Sequence, residues 1–281
     1  MPESVTAVIA RAGARLGRPH EARLLLAHVL GVAPSGLLLA GPPSPEALDR
    51  LDALLARREA GEPLQHLTGR APFRTVELAV GPGVFIPRPE TEVMTGWALD
   101  RLAECASTEP VVVELCAGSG AITRALVEEG PAGRFHCVEL SPDAYPYLER
   151  NLAGLGVDLR LGDMAEEFAD LDGRVDLVIA NPPYVPLEHW QDVPAEVRDH
   201  DPALALVSGA DGLDAMRVVA SVARRLLKPH GWVCAEHAEV QEHSAPRVFV
   251  EAGGFTAVAD HRDLTGRPRF VTARRAGRMI P

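Results

Sequence analysis

Asn181-Pro182-Pro183-Tyr184 is the stretch whose residue types and spacing could do chemistry. It closes the apolar run Val175–Ala180, which reads as a buried strand. The two prolines offer no backbone N–H and each fixes φ, so the strand must stop there. In open α/β sheets the carboxyl ends of strands are where ligands bind. The Asn181 amide oxygen and the Pro182 carbonyl can both accept hydrogen bonds from one planar NH2 group. The Tyr184 ring can cover a flat substrate face. Such a site suits a planar, poorly nucleophilic nitrogen that must be oriented for attack. The plain alternative is a strand-ending turn with a surface tyrosine, and the residues upstream weigh against it.

Upstream, Val112-Val113-Glu114-Leu115 runs into the turn Cys116-Ala117-Gly118-Ser119-Gly120 and then a helix. Glycines in such a turn let a ligand approach the backbone closely. No Gly-Lys-Ser/Thr follows and the third glycine of a dinucleotide fingerprint is missing, which argues against a phosphate ligand. Glu114 would repel a pyrophosphate and suit a cationic amino-acid head. Glu139 ends the next strand, roughly 20 residues on, where a carboxylate can hold both ribose hydroxyls. Asp163 can accept from an adenine amino group, and Met164 can pack on the ring. Each acid alone reads as a solvated surface charge. Together, at successive strand ends ahead of Asn181, they describe S-adenosyl-L-methionine.

The elements that position these residues follow from periodicity. Residues 1 to about 70 show helical spacing, with Pro19 and Pro45 as helix starts and Gly31 as a helix end. Phe73–Val80 alternates as a half-buried strand, Gly81-Pro82-Gly83 reads as a turn and Val84–Ile86 as the returning arm, so a hairpin is predicted. From Pro110 onward strands and helices alternate, which predicts a mostly parallel sheet covered on both faces. Helices are expected over Pro142–Leu152, Leu213–Leu227 and Val240–Ala252. A helical domain over 1–71, a β-hairpin linker over 72–86 and an α/β domain over 87–281 are the predicted divisions.

Composition narrows the class. The chain has 281 residues, enough for a large core and one or two domains, and 47% hydrophobic content with mean hydropathy +0.02 reads as soluble and globular. No apolar run reaches the roughly 18 residues of a membrane span, and the first residues lack the basic start of a signal peptide. Cys105, Cys116, Cys137 and Cys234 are scattered, so neither a zinc site nor a disulfide framework is expected, and the cytoplasm is the expected compartment. A net charge of −11 disfavours a protein that wraps nucleic acid.

At the level of motifs the chain resembles the HemK/PrmC family, the N5-glutamine methyltransferases of peptide-chain release factors. The resemblance spans essentially the whole length. It rests on Pro63–Gly69, Ile86-Pro87-Arg88-Pro89-Glu90-Thr91-Glu92, Glu114–Ile122, Asn181–Val185, Asp201–Leu206, Gly209–Leu213 and Leu264–Phe270. It implies an N-terminal helical, substrate-docking domain, a hairpin linker and a class I, Rossmann-like, seven-stranded methyltransferase domain with an antiparallel final strand. Two stretches depart from the pattern. Glu114-Leu115-Cys116-Ala117-Gly118 stands where the family typically has Asp-Leu-Gly-Thr-Gly, which places a thiol and a Cβ beside the cofactor. Glu236-His237-Ala238-Glu239 replaces the usual Glu-Ile-Gly.

The resemblance implies methyl transfer from S-adenosylmethionine to the glutamine of the Gly-Gly-Gln loop of class I release factors. The implied cofactor site comprises Glu114, Cys116, Ala117, Gly118, Ser119, Gly120, Glu139, Asp163, Met164 and Asn181. Asn181, Pro182, Pro183 and Tyr184 would orient the glutamine, with a second wall running from Arg88 to Glu92. No metal is expected. The protein is expected to act as a monomer, without direct nucleic-acid binding or membrane attachment. Three alternatives stay open at this point: glutamine methylation of a ribosomal protein, adenine-N6 methylation of a nucleic acid with base flipping, and a cofactor-binding interaction module without turnover.

Overall fold

A computed structural model describes residues 3–277, so the outer ends of the predicted ranges 1–71 and 87–281 lie outside the described residues. The chain divides into two compact units.

The first unit holds the residues up to Arg70 and also takes in Pro194–His200, a segment the predicted range 1–71 did not include. Its helices are Val5–Leu16, Pro19–Leu30, Pro45–Glu59 and Leu64–Thr68, with a 3-10 stretch at Pro34–Leu39. The starts follow local chemistry. The Ser4 and Ser44 hydroxyls accept from Ala7 N and Ala47 N, and Pro19 and Pro45 occupy first-turn positions where a missing N–H costs nothing. Gly31 ends the second helix at φ 67°, a left-handed conformation that glycine adopts without strain. Val8, Leu25, Leu26, Leu51 and Leu55 form the core. One ion pair is nearly buried beside it: Arg58 Nε donates to Glu21 Oε2 at 2.6 Å, and Arg58 Nη2 reaches Glu196 of the short helix Ala195–His200 at 3.3 Å.

The second unit runs from Ala71 to Val193 and resumes at Asp201. It opens with a hairpin of β1 (Arg70–Phe73) and β2 (Val76–Ala79). This corrects the predicted hairpin over 72–86. The reversal falls at Arg74-Thr75, where Arg74 takes φ 51° and its N–H is held by Glu92 Oε1 at 3.0 Å. Val84–Ile86 forms no strand. A tertiary carboxylate, which no local turn signal announces, sets the position of this turn.

Seven further strands make one sheet: β3 (Val111–Leu115), β4 (Arg134–Glu139), β5 (Asp158–Leu161), β6 (Val175–Ala180), β7 (Leu227–Glu236), β8 (Phe255–Arg262) and β9 (Pro268–Arg275). Their order is β5-β4-β3-β6-β7-β9-β8, with β9 antiparallel to both neighbours and the pairs from β5 to β7 parallel. This is the Rossmann-like class I methyltransferase arrangement expected from the sequence. β3 and β6 are buried along their whole length, which is why they read as mostly apolar runs, interrupted only by the buried acids Glu114 and Asp176. Val112, Leu177, Ile179 and Cys234 face helices Thr91–Ala103 and Ala121–Glu129, whereas Val113, Val178, Val233 and Ala235 face helices Asp214–Leu226 and Ser244–Ala252. The chain steps from β3 outward to β4 and β5, then returns to β6 on the other side of β3. That reversal opens a crevice at the carboxyl ends of β3 and β6.

The three helices predicted over Pro142–Leu152, Leu213–Leu227 and Val240–Ala252 are all shorter than expected, Leu213–Leu227 by one residue at each end and the other two by more. The one over Pro142–Leu152 begins at Tyr145, and the one over Val240–Ala252 is a 3-10 turn at Glu239–Gln241 followed by Ser244–Ala252.

Candidate active site

The crevice holds a cavity of about 390 Å³ within the second unit. That volume lies in the range of about 300–1,000 Å³ common to small-molecule sites. Its walls come largely from four strand ends or the turns behind them. Glu114 lies near the end of β3 and residues 116–119 follow it, Glu139 ends β4, Asp163 and Met164 follow β5, and Asn181, Pro183 and Tyr184 follow β6. Register explains the convergence, because Leu115 pairs with both Val138 and Ala180, and Glu139 pairs with Leu161.

The turn after β3 is built to expose backbone. Gly118 has φ 54°, and a Cβ there would meet nothing within 4 Å, so its α-carbon opens onto free space. Cys116 takes φ 56°, the left-handed conformation that glycine would adopt without penalty, and its thiol meets Met164 Sδ at 3.6 Å. Side chains in that conformation cost about 1–2 kcal/mol. Gly120 serves packing instead of lining the cavity. With φ 77°, a Cβ there would sit 2.8 Å from Leu148 Cδ1.

Glu139 is fixed by two backbone donors. Its Oε2 accepts from Gly118 N and its Oε1 from Ser141 N, both at 2.7 Å. Each oxygen keeps a further lone pair, which suits a vicinal diol. Asp163 Oδ1 accepts from Ala165 N at 2.9 Å. Glu114 is nearly inaccessible and accepts from Thr123 N at 2.9 Å; burial pushes its carboxyl up to about 7. A neighbouring cation would restore its charge. A held carboxylate for a diol, a second acid, an exposed glycine backbone and a buried acid awaiting a cation together fit S-adenosylmethionine.

The remaining wall contains groups the sequence reading did not single out. Thr91, the first residue of helix Thr91–Ala103, donates its hydroxyl to Glu236 Oε2 at 2.6 Å. Asn181 Nδ2 donates to Thr91 Oγ1 at 3.3 Å, and the Tyr184 hydroxyl donates to Glu236 Oε1 at 3.4 Å. Glu236 ends β7, one residue beyond Ala235, which pairs with Ala180, so it stands level with Asn181. Burial lifts its carboxyl to about 7 and raises the Tyr184 phenol. A carboxylate ending the strand beside β6 was a signal available in the sequence.

Pro182, Arg88 and Glu92 do not line the cavity. The Arg88 guanidinium pairs with Asp201 and lies 4.9 Å from the Phe85 ring centre, whereas Glu92 holds Arg74. Of the wall expected from Arg88 to Glu92, Thr91 lines the cavity, joined by Phe85 and Pro87 just before it. That is a correction of which side chains form it, and its cause is that both charged groups are drawn away to partners.

Comparison with known proteins gives concordant matches in both units. Residues 7–69 match the family model described as the PrmC N-terminal domain, and residues 112–200 match a methyltransferase domain. The release factor glutamine methyltransferase of Streptomyces coelicolor is 56% identical over 223 residues, covering 79% of each chain. That of Mycolicibacterium smegmatis is 43% identical over 278 residues, covering 98% of this chain and 97% of the relative. A 4-amino-L-phenylalanine/4-methylamino-L-phenylalanine methyltransferase of Streptomyces pristinaespiralis is 40% identical over 238 residues, covering 83% of this chain and 80% of the relative.

Proposed function

Because the chain belongs to the release factor glutamine methyltransferase family, we propose that it methylates the N5 nitrogen of the glutamine in the Gly-Gly-Gln loop of class I peptide-chain release factors. The observation that carries this reading is the near full-length match in a chain whose Asn181 amide is anchored at the cavity wall. When bound, S-adenosylmethionine supplies an electrophilic methyl group on a sulfonium sulfur.

This chain's residues bind and orient. Glu139 would take the ribose hydroxyls, Asp163 and Met164 the adenine, and Glu114 the cationic head, with Cys116, Ala117, Gly118 and Ser119 forming the floor and Gly120 shaping the turn. Asn181 Oδ1 would accept one amide proton of the glutamine. The Pro182 carbonyl would accept the other once the substrate enters, Pro182 itself lying behind the lining residues Asn181 and Pro183. The glutamine nitrogen is thereby turned with the lone pair toward the methyl. Pro183 stiffens this turn, and Tyr184, Phe85 and Pro87 cover the flat amide. Orientation of this kind is worth up to about 7–11 kcal/mol in favourable cases. No strong base is needed before attack: the nitrogen gains the methyl and then loses one proton to water. The helical unit would dock the protein substrate. We place the reaction in the cytoplasm, with the enzyme acting as a monomer on protein and not on nucleic acid, in keeping with a net charge of −11.

The test is methyl transfer from labelled S-adenosylmethionine to a purified release factor, beside a copy with its Gly-Gly-Gln glutamine changed to alanine. Free 4-amino-L-phenylalanine, duplex DNA, RNA and ribosomal proteins serve as competing acceptors. Label on the unaltered factor alone is expected. Label on any other acceptor in preference to it overturns the substrate assignment.

A further inference from the structure

The chain of hydrogen bonds Glu236–Thr91–Asn181 has a direction, and that direction follows from proton counting. A threonine hydroxyl has one proton. Thr91 gives it to Glu236 Oε2 across 2.6 Å. Toward Asn181 it then has only lone pairs, so it must accept. The sole donor on an asparagine side chain is its NH2 group, so that group faces Thr91 and Oδ1 faces away from it. We infer that Glu236 is a positioning residue that sets the direction of the Asn181 amide, acting through Thr91, so that an acceptor and not a donor meets the substrate nitrogen. The inference rests on the proposed reaction for its purpose, but the amide's direction is a property of the unliganded chain.

Three features make the arrangement specific. Thr91 and Glu236 are 3% and 1% exposed, so the hydrogen bond between them is shielded from bulk water. The Tyr184 hydroxyl donates to the other oxygen of the same carboxylate, so both protons directed at Glu236 come from residues lining the cavity. The Thr91 N–H is committed to Arg88 O at 3.2 Å, and its carbonyl accepts from Thr95 Oγ1 at 3.0 Å, which holds the residue at the head of its helix.

The direction depends on Glu236 being ionised. A protonated carboxyl can donate to Thr91, whose own proton is then free to point at Asn181, and the amide can turn its NH2 toward the substrate. Donor would then face donor, and the glutamine nitrogen would lose its alignment. Burial raises the Glu236 carboxyl to about 7; Thr91, Arg269 on β9 and the Tyr184 hydroxyl favour its charged form, and Glu90 opposes it. Acceptor orientation is therefore expected to weaken as pH falls below neutrality. Glu114 titrates in the same window, but it faces the cofactor cradle, so its effect belongs in cofactor affinity and not in turnover at saturating cofactor.

The test begins with the full chain and no substrate. In 15N-labelled protein the Asn181 side-chain NH2 signals, assigned with Asn181→Asp, are expected to show cross-relaxation with the Thr91 β-proton at pH 8.5. That signal should fade below pH 6 and vanish in Glu236→Leu. An Asn181 NH2 without contact to Thr91 at pH 8.5, or one unchanged in Glu236→Leu, overturns the inference. Turnover at saturating cofactor provides the second reading. Thr91→Val is expected to lose about 100-fold in kcat, on the scale of a misoriented reactant, with cofactor Kd unchanged, whereas Thr91→Ser keeps most of kcat. Equal loss in both variants would mark Thr91 as packing alone and refute the positioning role. Absence of any transfer by the unsubstituted chain counts against the proposed reaction, whereas the spectra decide the amide's direction in either event.

Discussion

Replacing Glu114 by glutamine should strengthen the unliganded fold and weaken cofactor binding, and both effects can be sized. Burial lifts the Glu114 carboxyl from 4.5 to about 7. The ionised form is therefore disfavoured in the fold by about 3 kcal/mol at 1.36 kcal/mol per pH unit. Since the folded value is the higher one, the stability contribution is complete below 4.5 and is lost as pH rises through about 7. Glutamine carries no charge, can still accept from Thr123 N, and removes this loss. In urea unfolding without cofactor, Glu114→Gln is expected to gain about 2–3 kcal/mol at pH 8 and almost nothing at pH 4. Calorimetric titration with S-adenosylmethionine should show the reverse. The unsubstituted chain binds tightest above pH 7 and loses about tenfold in affinity per unit below it, whereas the variant is weaker at pH 8 and flat with pH. Equal destabilisation of the variant at both pH values, or an unchanged slope of affinity with pH, would refute the account of Glu114 as a buried acid waiting for a cation.

Other perturbations test other parts of the molecule. Asn181→Ala should abolish methyl transfer to a release factor while leaving cofactor Kd within a few-fold by calorimetry; strong loss of binding with turnover retained in the bound fraction would contradict its role. Gly120→Ala puts a Cβ 2.8 Å from Leu148 Cδ1 at φ 77°, and should cost about 2–4 kcal/mol in urea unfolding from overpacking and left-handed strain together. Glu21→Leu removes the 2.6 Å carboxylate partner of the nearly buried Arg58 guanidinium and leaves it only the more distant Glu196 carboxylate at 3.3 Å. It should destabilise the helical unit by about 3 kcal/mol, read as earlier loss of hydrogen-exchange protection in helix Pro45–Glu59.

The parts of this molecule legible in its sequence are those specified by neighbours in the chain. The two prolines after β6, the glycines after β3 and the buried runs of both strands carry their meaning locally, and the sheet class follows from their alternation with helices. Pro19, Gly31 and Pro45 mark helix ends for the same reason. What escaped depends on contacts distant in sequence. Thr91 and Glu236 lie 145 residues apart and acquire a joint meaning only through the register that sets β7 beside β6. The hairpin turn at Arg74 answers to Glu92, so the more obvious Gly81-Pro82-Gly83 drew the prediction to the wrong place. Likewise, nothing in Pro194–His200 read alone assigns it to the helical unit.

The placement of β9 between β7 and β8 has a consequence for how the chain comes off the ribosome. Among the described residues β8 pairs with no strand but β9, and β7 has β9 as its second partner. Residues 268–275 are the last of the sheet to be synthesised yet lie between two strands made before them, so β7 lacks its second neighbour in any chain that stops short of them. Glu236, at the end of β7, gains the Arg269 charge only with those residues. A nascent chain halted before Pro268 would hold the glycine turn and Asn181 yet leave a strand edge open to a second copy. Completion of the sheet thus also brings the charge that favours the ionised form of Glu236.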